Sequence, residues 1–401
     1  MTTEAPDQRA LCESFDAIRR EDLWRSRRIK WRLYGPDVLP AWVAEMDYPV
    51  AAPIRRALIE LIERSDLGYH HLPLSPRLRE ALVSRMAERF AWPIEPRRVA
   101  PLVNVVQGLD AAILQHSRPG EGVMILTPIY PPFLAAVSGN GRRLDACPLV
   151  EGDARFEIDF AAMRKAVRTD TRLLLLCHPH NPTGRAFDES ELAGIAELAL
   201  EHDLVVVSDE IHADLVLSGR THRPFAKLGP EIAERTVTLT SVSKAFNLPG
   251  LHCAFAIFGG DRAEQPMRAL PPHLLGHPGI LDDAAAFTAW TEGQPWLDAV
   301  LATLRRNRAT VAERLAREMP GLRWHLPEAT YLAWLDCRAL GCDDPRAFFL
   351  EHARVALSDG SEFGPTGRGF VRLNFATSAG ILDDILTRMA TAVREHAATG
   401  S

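Results

Sequence analysis

The sequence predicts an α/β fold in which helices cover both faces of a mainly parallel sheet. Four short apolar runs in the middle of the 401-residue chain are typical of buried strands: residues 123–126, 173–177, 204–207 and 237–239. A helical pattern separates the second run from the third, and alternation of strands with helices is typical of parallel sheets.

The helix between the second and third strands has a clear start signal. Apolar residues recur at helical spacing over residues 192–199. Asp188 precedes them and can accept from the first free backbone N–H groups, while Glu191 can reach back from the third position to complete a capping box. We therefore expect a helix that begins directly after Asp188.

A polar residue follows each of the last three strands. Asn181 follows the second strand, Asp209 the third and Lys244 the fourth. Ligands of such sheets bind outside the carboxyl ends of the strands, so we expect these side chains to meet in one crevice. Lys244 would enter it from a buried strand, where apolar surroundings favour the nucleophilic free amine over the ammonium.

An amine, a carboxylate and an amide together match the needs of pyridoxal 5'-phosphate (PLP). PLP binds a lysine as a Schiff base, and a carboxylate beside its ring nitrogen keeps that nitrogen protonated. Lys244 and Asp209 fit these roles, Asn181 suits the phenolic oxygen, and His212 could approach the same side. Taken singly, Asn181 could be a turn residue and Asp209 a helix cap, but the three at this spacing favour a cofactor site.

Several motifs carry a resemblance to a known family. They are His180-Asn-Pro-Thr-Gly184, Ser208-Asp-Glu210, Ser241-Val-Ser-Lys244 and the segment around Arg372. With them the chain, from about Phe15 onward, resembles fold-type I PLP-dependent enzymes of the class I/II aminotransferase superfamily, which are aspartate aminotransferase-like in fold. Residues 39–47, 209–212, 244–251 and 369–378 resemble more narrowly the MalY/PatB-type C–S lyases, which are cystathionine β-lyase-like.

The resemblance implies a role for each site residue. Lys244 would hold PLP and act as the catalytic base, Asp209 would pair with the ring nitrogen and Asn181 with the phenolic oxygen. Tyr130 would stack on the ring, and His212 stands where many aminotransferases have tyrosine. Arg372, with Asn181, would bind the substrate α-carboxylate, because a planar guanidinium matches a carboxylate.

The phosphate group of PLP is expected at the start of a helix that begins near Val105, where free N–H groups and the helix dipole suit an anion. The backbone of Val105, Val106 and Gln107 would bind it, with the hydroxyls of Ser241 and Ser243, of which Ser241 has the better claim. His252 stands where aminotransferases typically have an arginine that binds the phosphate. Tyr69 resembles the catalytic-site tyrosine that reaches the neighbour's phosphate, which implies a homodimer with shared active sites.

The expected reaction is β-elimination from an L-cysteine S-conjugate or cystathionine, which yields a thiol, pyruvate and ammonia. Transamination is an alternative, since reprotonation at the cofactor would give it. Decarboxylation coupled to oxidative deamination of an S-conjugated cysteine is another. A PLP-binding regulator without catalysis is a third, but such regulators resemble fusions with a winged-helix domain, and the fold's own signature begins here by about residue 15.

Composition excludes several other classes of protein. The formal net charge is −6, which gives no general attraction to nucleic acid or an anionic membrane, and no apolar run approaches the roughly 18 to 20 residues that span a bilayer. The six cysteines show no ligand-like spacing, and the acidic, polar start is unlike a secretory or transit sequence. We therefore expect a cytoplasmic protein that acts on a small amino acid.

A metal site is the alternative use of the same polar residues. His178 and His180 form an H-x-H pair, and Asp209, Glu210 and His212 could serve as hard ligands. The PLP interpretation already uses these positions, so no metal is expected. Two further histidine pairs are interpreted as packing or pocket residues, His70 with His71 and His273 with His277.

The predicted organisation has three parts. Residues 1–44 form an N-terminal arm that packs on the small domain, residues 45–280 form the large PLP-binding domain, and residues 281–401 form the small C-terminal domain. A long helical pattern over residues 296–319 should bridge the two domains.

Overall fold

The computed structural model describes residues 7–69 and 73–399. Its helices, numbered in chain order, are α1 Gln8–Asp16, α2 Arg20–Trp24, α3 Ile29–Arg32, α4 Ala52–Glu63, α5 Pro76–Phe90, α6 Val105–His116, α7 Pro131–Gly139, α8 Phe160–Ala166, α9 Glu189–Glu201, α10 Pro230–Ala233, α11 Asp261–Arg268, α12 Pro272–Leu275, α13 Ile280–Glu292, α14 Gln294–Glu318, α15 Pro345–Phe348 and α16 Ala379–Thr399. Its strands are β1 Leu39–Pro40, β2 Val99–Leu102, β3 Gly122–Thr127, β4 Arg143–Pro148, β5 Val150–Glu151, β6 Phe156–Glu157, β7 Thr171–Cys177, β8 Val205–Asp209, β9 Thr236–Ser241, β10 Ala254–Phe258, β11 Arg323–Trp324, β12 Leu332–Asp336, β13 Val355–Ala356, β14 Ser358–Asp359 and β15 Phe370–Asn374.

The central sheet has seven strands in the order β2-β10-β9-β8-β7-β3-β4. The four predicted strands are β3, β7, β8 and β9, and they are neighbours that pair in parallel. This confirms the predicted α/β fold with a mainly parallel sheet. The departure lies at one edge, where β10 runs antiparallel to both β9 and β2.

Apolar clusters lie on both faces of this sheet. On one face, α6 and α7 pack over side chains such as Leu175, Val207 and Leu239. On the other face, α8 and α9 cover Leu174, Leu176 and Val206. Burial on both faces explains why these strands are continuous apolar runs rather than alternating ones.

The predicted helix start at Asp188 is confirmed. The Asp188 side chain accepts from the backbone N–H of Glu191 at 3.0 Å, and the Glu191 carboxylate accepts from the Asp188 N–H at 2.8 Å, which together form a capping box. Helix α9 therefore begins directly after Asp188 and spans Glu189–Glu201.

The C-terminal part of the chain forms a second sheet of four strands in the order β11-β12-β15-β14. The N-terminal segment packs beside it, since β1 pairs in parallel with β13 and α1 packs on α14. Helix α14 covers the residues predicted to bridge the two domains. The boundaries at residues 44/45 and 280/281 stay a prediction.

In the described part of the chain, every helix is too short or too polar to cross a bilayer.

Candidate active site

A cavity of about 270 Å³ opens at the carboxyl ends of β7, β8 and β9. It brings together ten of the predicted site residues: Val105, Val106, Tyr130, Asn181, Asp209, His212, Ser241, Ser243, Lys244 and His252. Strand order explains the convergence, because β7, β8 and β9 are adjacent and parallel, so their carboxyl ends share one edge of the sheet.

Lys244 lies three residues beyond β9 and lines the cavity. Its Nζ donates to the carbonyl oxygen of Ala44 at 2.8 Å. Burial lowers the pKa of Lys244 and the nearby Arg372 guanidinium lowers it too, whereas Asp209 and Glu45 oppose the shift; together these effects bring that pKa to about 8. About a tenth of the amine is therefore unprotonated at pH 7, far more than for an ordinary lysine, and this form can act as a nucleophile and a base.

Asp209 is the last residue of β8, and it is 5% exposed. Its Oδ1 accepts from the backbone N–H of Ile211 at 3.0 Å. Burial raises the pKa of Asp209 to about 7, against the lowering effects of that hydrogen bond and of Lys244. A carboxylate in such a setting is stabilised by a cation placed opposite it.

His212 lies in the wall of the cavity as a neutral ring. Burial lowers the pKa of His212 to about 3, and the positive charges of Lys244 and Arg372 add to the shift. Its Nδ1 is buried and bonds none of the residues that the structure describes. The ring packs edge-on against Tyr331, with centroids 6.2 Å apart.

Asn181 and Arg372 are joined by a direct hydrogen bond, from Arg372 Nη1 to Asn181 Oδ1 at 3.0 Å. Asn181 lies in the turn after β7, which closes at Gly184 with a φ of +70°. Arg372 lies in β15 of the second sheet and is buried. The guanidinium carbon of Arg372 lies 4.8 Å from the centre of the Phe363 ring, while its Nε is buried and has no hydrogen-bond partner within the described part of the chain.

The anion end of the cavity is the start of α6, which begins at Val105 as predicted. Val105 and Val106 line the cavity there, in the first turn, where backbone N–H groups lack partners within the helix. Asn104 is the N-cap, and its Oδ1 accepts from the backbone N–H of Gln107 at 2.8 Å.

Gln107 was predicted to bind the phosphate through its backbone N–H, but that group is not free in the structure. Its backbone N–H is already bonded to the Asn104 cap, and its side chain accepts from Val103 N and donates to Leu274 O. The order of the two serines also changes. Ser241 donates its hydroxyl to Cys253 O at 2.7 Å, so that proton is engaged, and Ser243 becomes the stronger candidate for a hydroxyl donor.

Tyr130 and His252 also line the cavity. Tyr130 precedes α7, and its backbone N–H donates to Asn181 O at 3.1 Å, which ties it to the turn that carries Asn181. Tyr69 lies elsewhere: its side chain is fully exposed and does not line the cavity. Within one copy of the chain, Tyr69 is thus separate from the site.

The histidines of the metal alternative are engaged in packing. His178 stacks on Phe187 and lies 4.6 Å from the ring of His222, while His180 Nδ1 is 2.9 Å from Thr183 Oγ1. His222 in turn bonds Glu210 at 2.7 Å. Across the residues that the structure describes, no group of three such side chains could hold a metal ion.

A second cavity, of about 570 Å³, lies beside His178 and His222 and is lined by none of the predicted cofactor residues. Although this cavity is larger, the smaller one is the candidate active site, because it brings together the amine, the carboxylate and the amide. His70 and His71 lie outside the described residues, and His277 Nδ1 is 3.1 Å from Pro278 O.

Sequence reasoning missed residues 42–46, which we call the strap. The strap forms no helix or strand, yet its Ala44 lines the cavity and its carbonyls bond both Lys244 and Arg372. Tyr331 was missed as well, and its hydroxyl donates to Ala44 O at 2.9 Å. The available signal was the family motif over residues 39–47, although nothing in it singles out the backbone of Ala44.

Comparison with known proteins identifies the family. Residues 42–389 match the model of the family described as aminotransferase class I and II. The chain is 35% identical to "Cystathionine beta-lyase PatB" of Bacillus subtilis (strain 168), over 94% of this chain and 99% of that protein. It is 34% identical to "Cystathionine beta-lyase" of Corynebacterium glutamicum, over 92% and 98% respectively.

A solved structure agrees in fold as well as in sequence. The PLP-bound C–S lyase from Staphylococcus hominis superposes with a TM-score of 0.87 at 30% identity, covering 94% of this chain and 97% of that one. The chain belongs to the class I and II aminotransferase family. Within that family, these three similar proteins are named for carbon–sulfur bond cleavage.

Proposed function

We propose that this protein is a PLP-dependent C–S β-lyase that cleaves an L-cysteine S-conjugate or cystathionine by β-elimination, with release of a thiol, pyruvate and ammonia. The observation that carries the proposal is the convergence of Lys244, Asp209 and Asn181 on one cavity, with Arg372 bonded to Asn181. The names of the similar lyases support elimination as the outcome.

The residues of the cavity fit PLP in charge and in hydrogen-bonding capacity. Asp209 is a buried carboxylate that has no cation bonded to it among the residues the structure describes, and a protonated ring nitrogen would supply one. Asn181 uses Oδ1 for Arg372, which leaves its amide N–H groups for the phenolic oxygen. Val105, Val106 and Ser243 would bind the phosphate, and Lys244 would bind the aldehyde carbon.

When bound, PLP supplies an electron sink for the electron pair that remains on Cα after loss of its proton. Lys244 is the residue placed to take that proton, because burial and Arg372 keep part of its amine unprotonated. The neutral ring of His212 adds no positive charge to the wall. His212 therefore does not compete with the cofactor's ring nitrogen as the cation opposite Asp209.

Arg372 would orient the substrate through its α-carboxylate. Burial lowers the pKa of Arg372 to about 10, so the guanidinium is still charged at neutral pH. Trp42 O, Ser358 and Asn181 hold two of its nitrogens, while Nε has no partner. A fixed guanidinium with an unused N–H suits a carboxylate ligand.

We also propose a homodimer in which Tyr69 of one copy enters the site of the other. The Tyr69 side chain is fully exposed, and Leu67, Ile62 and Ile59 near it in the chain are about half exposed. Apolar side chains grouped at the surface favour burial against a partner.

The cytoplasm is the proposed location, and the free thiols of all six cysteines support it.

Purified holoenzyme incubated with L-cystathionine, and separately with alkyl and aryl cysteine conjugates, tests the reaction. Pyruvate and free thiol are measured with and without an added 2-oxo acid. We expect pyruvate and thiol in equal amounts without any acceptor. Product formation that strictly requires the 2-oxo acid would instead show transamination and overturn the lyase proposal.

A further inference from the structure

The strap, residues 42–46, is held by side chains from outside it. Each of its carbonyls accepts at least one hydrogen bond: Trp42 O from Arg372 and Ser358, Val43 O from Asn374, Ala44 O from Lys244 and Tyr331, Glu45 O from Lys30 and Asn374, and Met46 O from Arg28 and Asn247. Buried backbone outside regular structure needs such partners. The strap is therefore held in place along its whole length, and its Ala44 lines the cavity.

The Ala44 carbonyl oxygen is shared by two donors. Lys244 Nζ lies 2.8 Å from it and the Tyr331 hydroxyl 2.9 Å. Tyr331 is 1% exposed and directly precedes β12. Each donor draws on the negative charge of the same oxygen, so the two hydrogen bonds weaken each other.

The position of Ala44 does not depend on Tyr331. The carbonyls on both sides are held by Asn374, whose Nδ2 lies 2.7 Å from Val43 O and 2.7 Å from Glu45 O. Removal of the Tyr331 hydroxyl should leave the Ala44 oxygen in place and wholly available to Lys244.

We propose that the Ala44 carbonyl is the docking point of the Lys244 amine whenever that amine is not bound to PLP, and that Tyr331 is a positioning residue that limits how firmly this oxygen holds the protonated amine. The inference rests on the proposed role of Lys244. A carbonyl can bond an ammonium through any of its three N–H groups, so the lysine keeps a place for the proton it removes. Competition from Tyr331 weakens the hydrogen bond between Ala44 O and the amine, so the amine can leave this oxygen and return to PLP.

Other groups also act on the Lys244 amine. They are Asp209 at the end of β8, Glu45 in the strap, Arg372 in β15 and His212. The charge of Lys244 in turn lowers the pKa of His212. Tyr130 lies close enough to Arg372 and Tyr331 to influence both. A conservative change at Tyr331 leaves all of them in place, so a comparison with the native enzyme isolates the shared oxygen.

The test compares Tyr331→Phe with Tyr48→Phe. Tyr48 is also fully buried and also donates to a backbone carbonyl, Thr377 O at 3.1 Å, but it does not contact Ala44 O. Cofactor-free enzyme is mixed with PLP over a range of pH, and the rate of PLP capture is followed by its visible absorbance. Capture needs the unprotonated amine, so the midpoint of the rate profile reports the Lys244 titration.

Tyr331→Phe should move this midpoint upward by about half a pH unit or more. Without the Tyr331 hydroxyl, the Ala44 oxygen accepts from the Lys244 ammonium alone, which stabilises the protonated amine. Tyr48→Phe should leave the midpoint unchanged. An unchanged midpoint in Tyr331→Phe, or an equal shift in both variants, would overturn the inference. If the native enzyme captures no PLP, the proposed function fails instead.

A backbone substitution tests the docking oxygen without altering Tyr331. Replacement of Glu45 by its α-hydroxy acid converts the Ala44–Glu45 amide into an ester, whose carbonyl is a weaker acceptor. The midpoint of PLP capture should then move to lower pH. A midpoint that stays in place or rises would contradict the assignment of Ala44 O, even if Tyr331→Phe fails to fold.

Discussion

Arg372 donates from Nη1 to Oδ1 of Asn181 at 3.0 Å, and this bond joins the two sheets of the protein at the site. Asn181 belongs to the turn after β7 of the central sheet, whereas Arg372 lies in β15 of the second sheet. The proposed cofactor ligand and the proposed substrate ligand thus orient each other. Binding of PLP and binding of the substrate carboxylate are expected to be coupled through this contact.

Arg372→Lys is expected to lower kcat/KM about 10- to 100-fold, mainly through KM, because lysine keeps the charge but loses the planar pair of donors. Steady-state kinetics with a cysteine S-conjugate measure the effect. Arg338→Lys is the control, since Arg338 pairs with Asp336 and Glu151, whereas Arg372 bonds Asn181 in the wall of the cavity. An effect of similar size in both variants would argue against a substrate role for Arg372.

Asp209 gives a pH dependence of stability with a definite sign. Burial raises the pKa of Asp209 to about 7 in the cofactor-free chain, from about 3.9 when unfolded. The folded state then binds the proton more tightly, so this contribution to stability is complete below pH 4 and disappears as pH rises through 7. Between pH 5 and pH 8 the loss is about 2 to 3 kcal/mol.

The free energy of unfolding of cofactor-free Asp209→Asn, relative to that of the native chain, should therefore be higher at pH 8 than at pH 5 by about that amount. Urea unfolding at both pH values measures it. Asp188→Asn is the control. Burial raises the pKa of Asp188, but hydrogen bonds from Ser190 and the Glu191 backbone outweigh it and bring that pKa to about 2. Asp188→Asn should change the free energy of unfolding by the same amount at both pH values. The same result for Asp209→Asn would show that Asp209 is ionised throughout and would contradict the prediction.

The buried ion pair between Lys30 and Asp47 holds the N-terminal segment beside the strap. Lys30 Nζ lies 2.9 Å from Asp47 Oδ2, and both side chains are 1% exposed. Lys30→Met leaves a buried carboxylate without its cation, which should cost about 3 to 5 kcal/mol of unfolding free energy. Denaturant unfolding of the holoenzyme measures it.

The double variant Lys30→Met/Asp47→Asn should recover much of that loss, because the charge left alone is then removed. Arg9→Met is a matched control at an exposed pair, with Arg9 Nε 2.8 Å from Glu13 Oε1, and should change stability by less than about 1 kcal/mol. Equal losses in Lys30→Met and Arg9→Met would show that the buried pair has no special weight.

Most of the central sheet could be predicted from sequence because its strands are buried on both faces. Continuous apolar runs locate β3, β7, β8 and β9, and the capping residues locate the start of α9. Since a parallel sheet brings the carboxyl ends of its strands together, the positions of Asn181, Asp209 and Lys244 followed directly. The family resemblance added Arg372, which no periodicity places near the cavity.

The parts that sequence did not predict depend on backbone atoms. The sequence did not show that Asn104 caps the helix and bonds the backbone N–H of Gln107, which was predicted to bind phosphate. The strap acts through carbonyl oxygens, which every residue has, so Ala44 carries no distinguishing side chain. Tyr331 acts on one of those oxygens from a distant part of the chain, and no local pattern shows such a contact.

Tyr69 provides a test of the shared site between two copies. Tyr69→Ala and Lys244→Ala should each be nearly inactive, for different reasons. If subunits exchange after the two are mixed, heterodimers should contain one site with both native residues, which restores about a quarter of the native activity. Titration of one variant into the other would follow this recovery, with different affinity tags on the two variants so that heterodimers can be isolated; its absence in isolated heterodimers would place Tyr69 outside the shared site.

The identity of the lysine that holds PLP is the most direct test of the proposed site. The sequence contains only four lysines, Lys30, Lys165, Lys227 and Lys244, so borohydride reduction of the holoenzyme followed by peptide mass mapping gives an unambiguous answer. We predict a pyridoxyl group on Lys244 alone, and its loss in Lys244→Ala together with the visible absorbance. A pyridoxyl group on Lys30, Lys165 or Lys227, or none on any lysine, would contradict the proposed site.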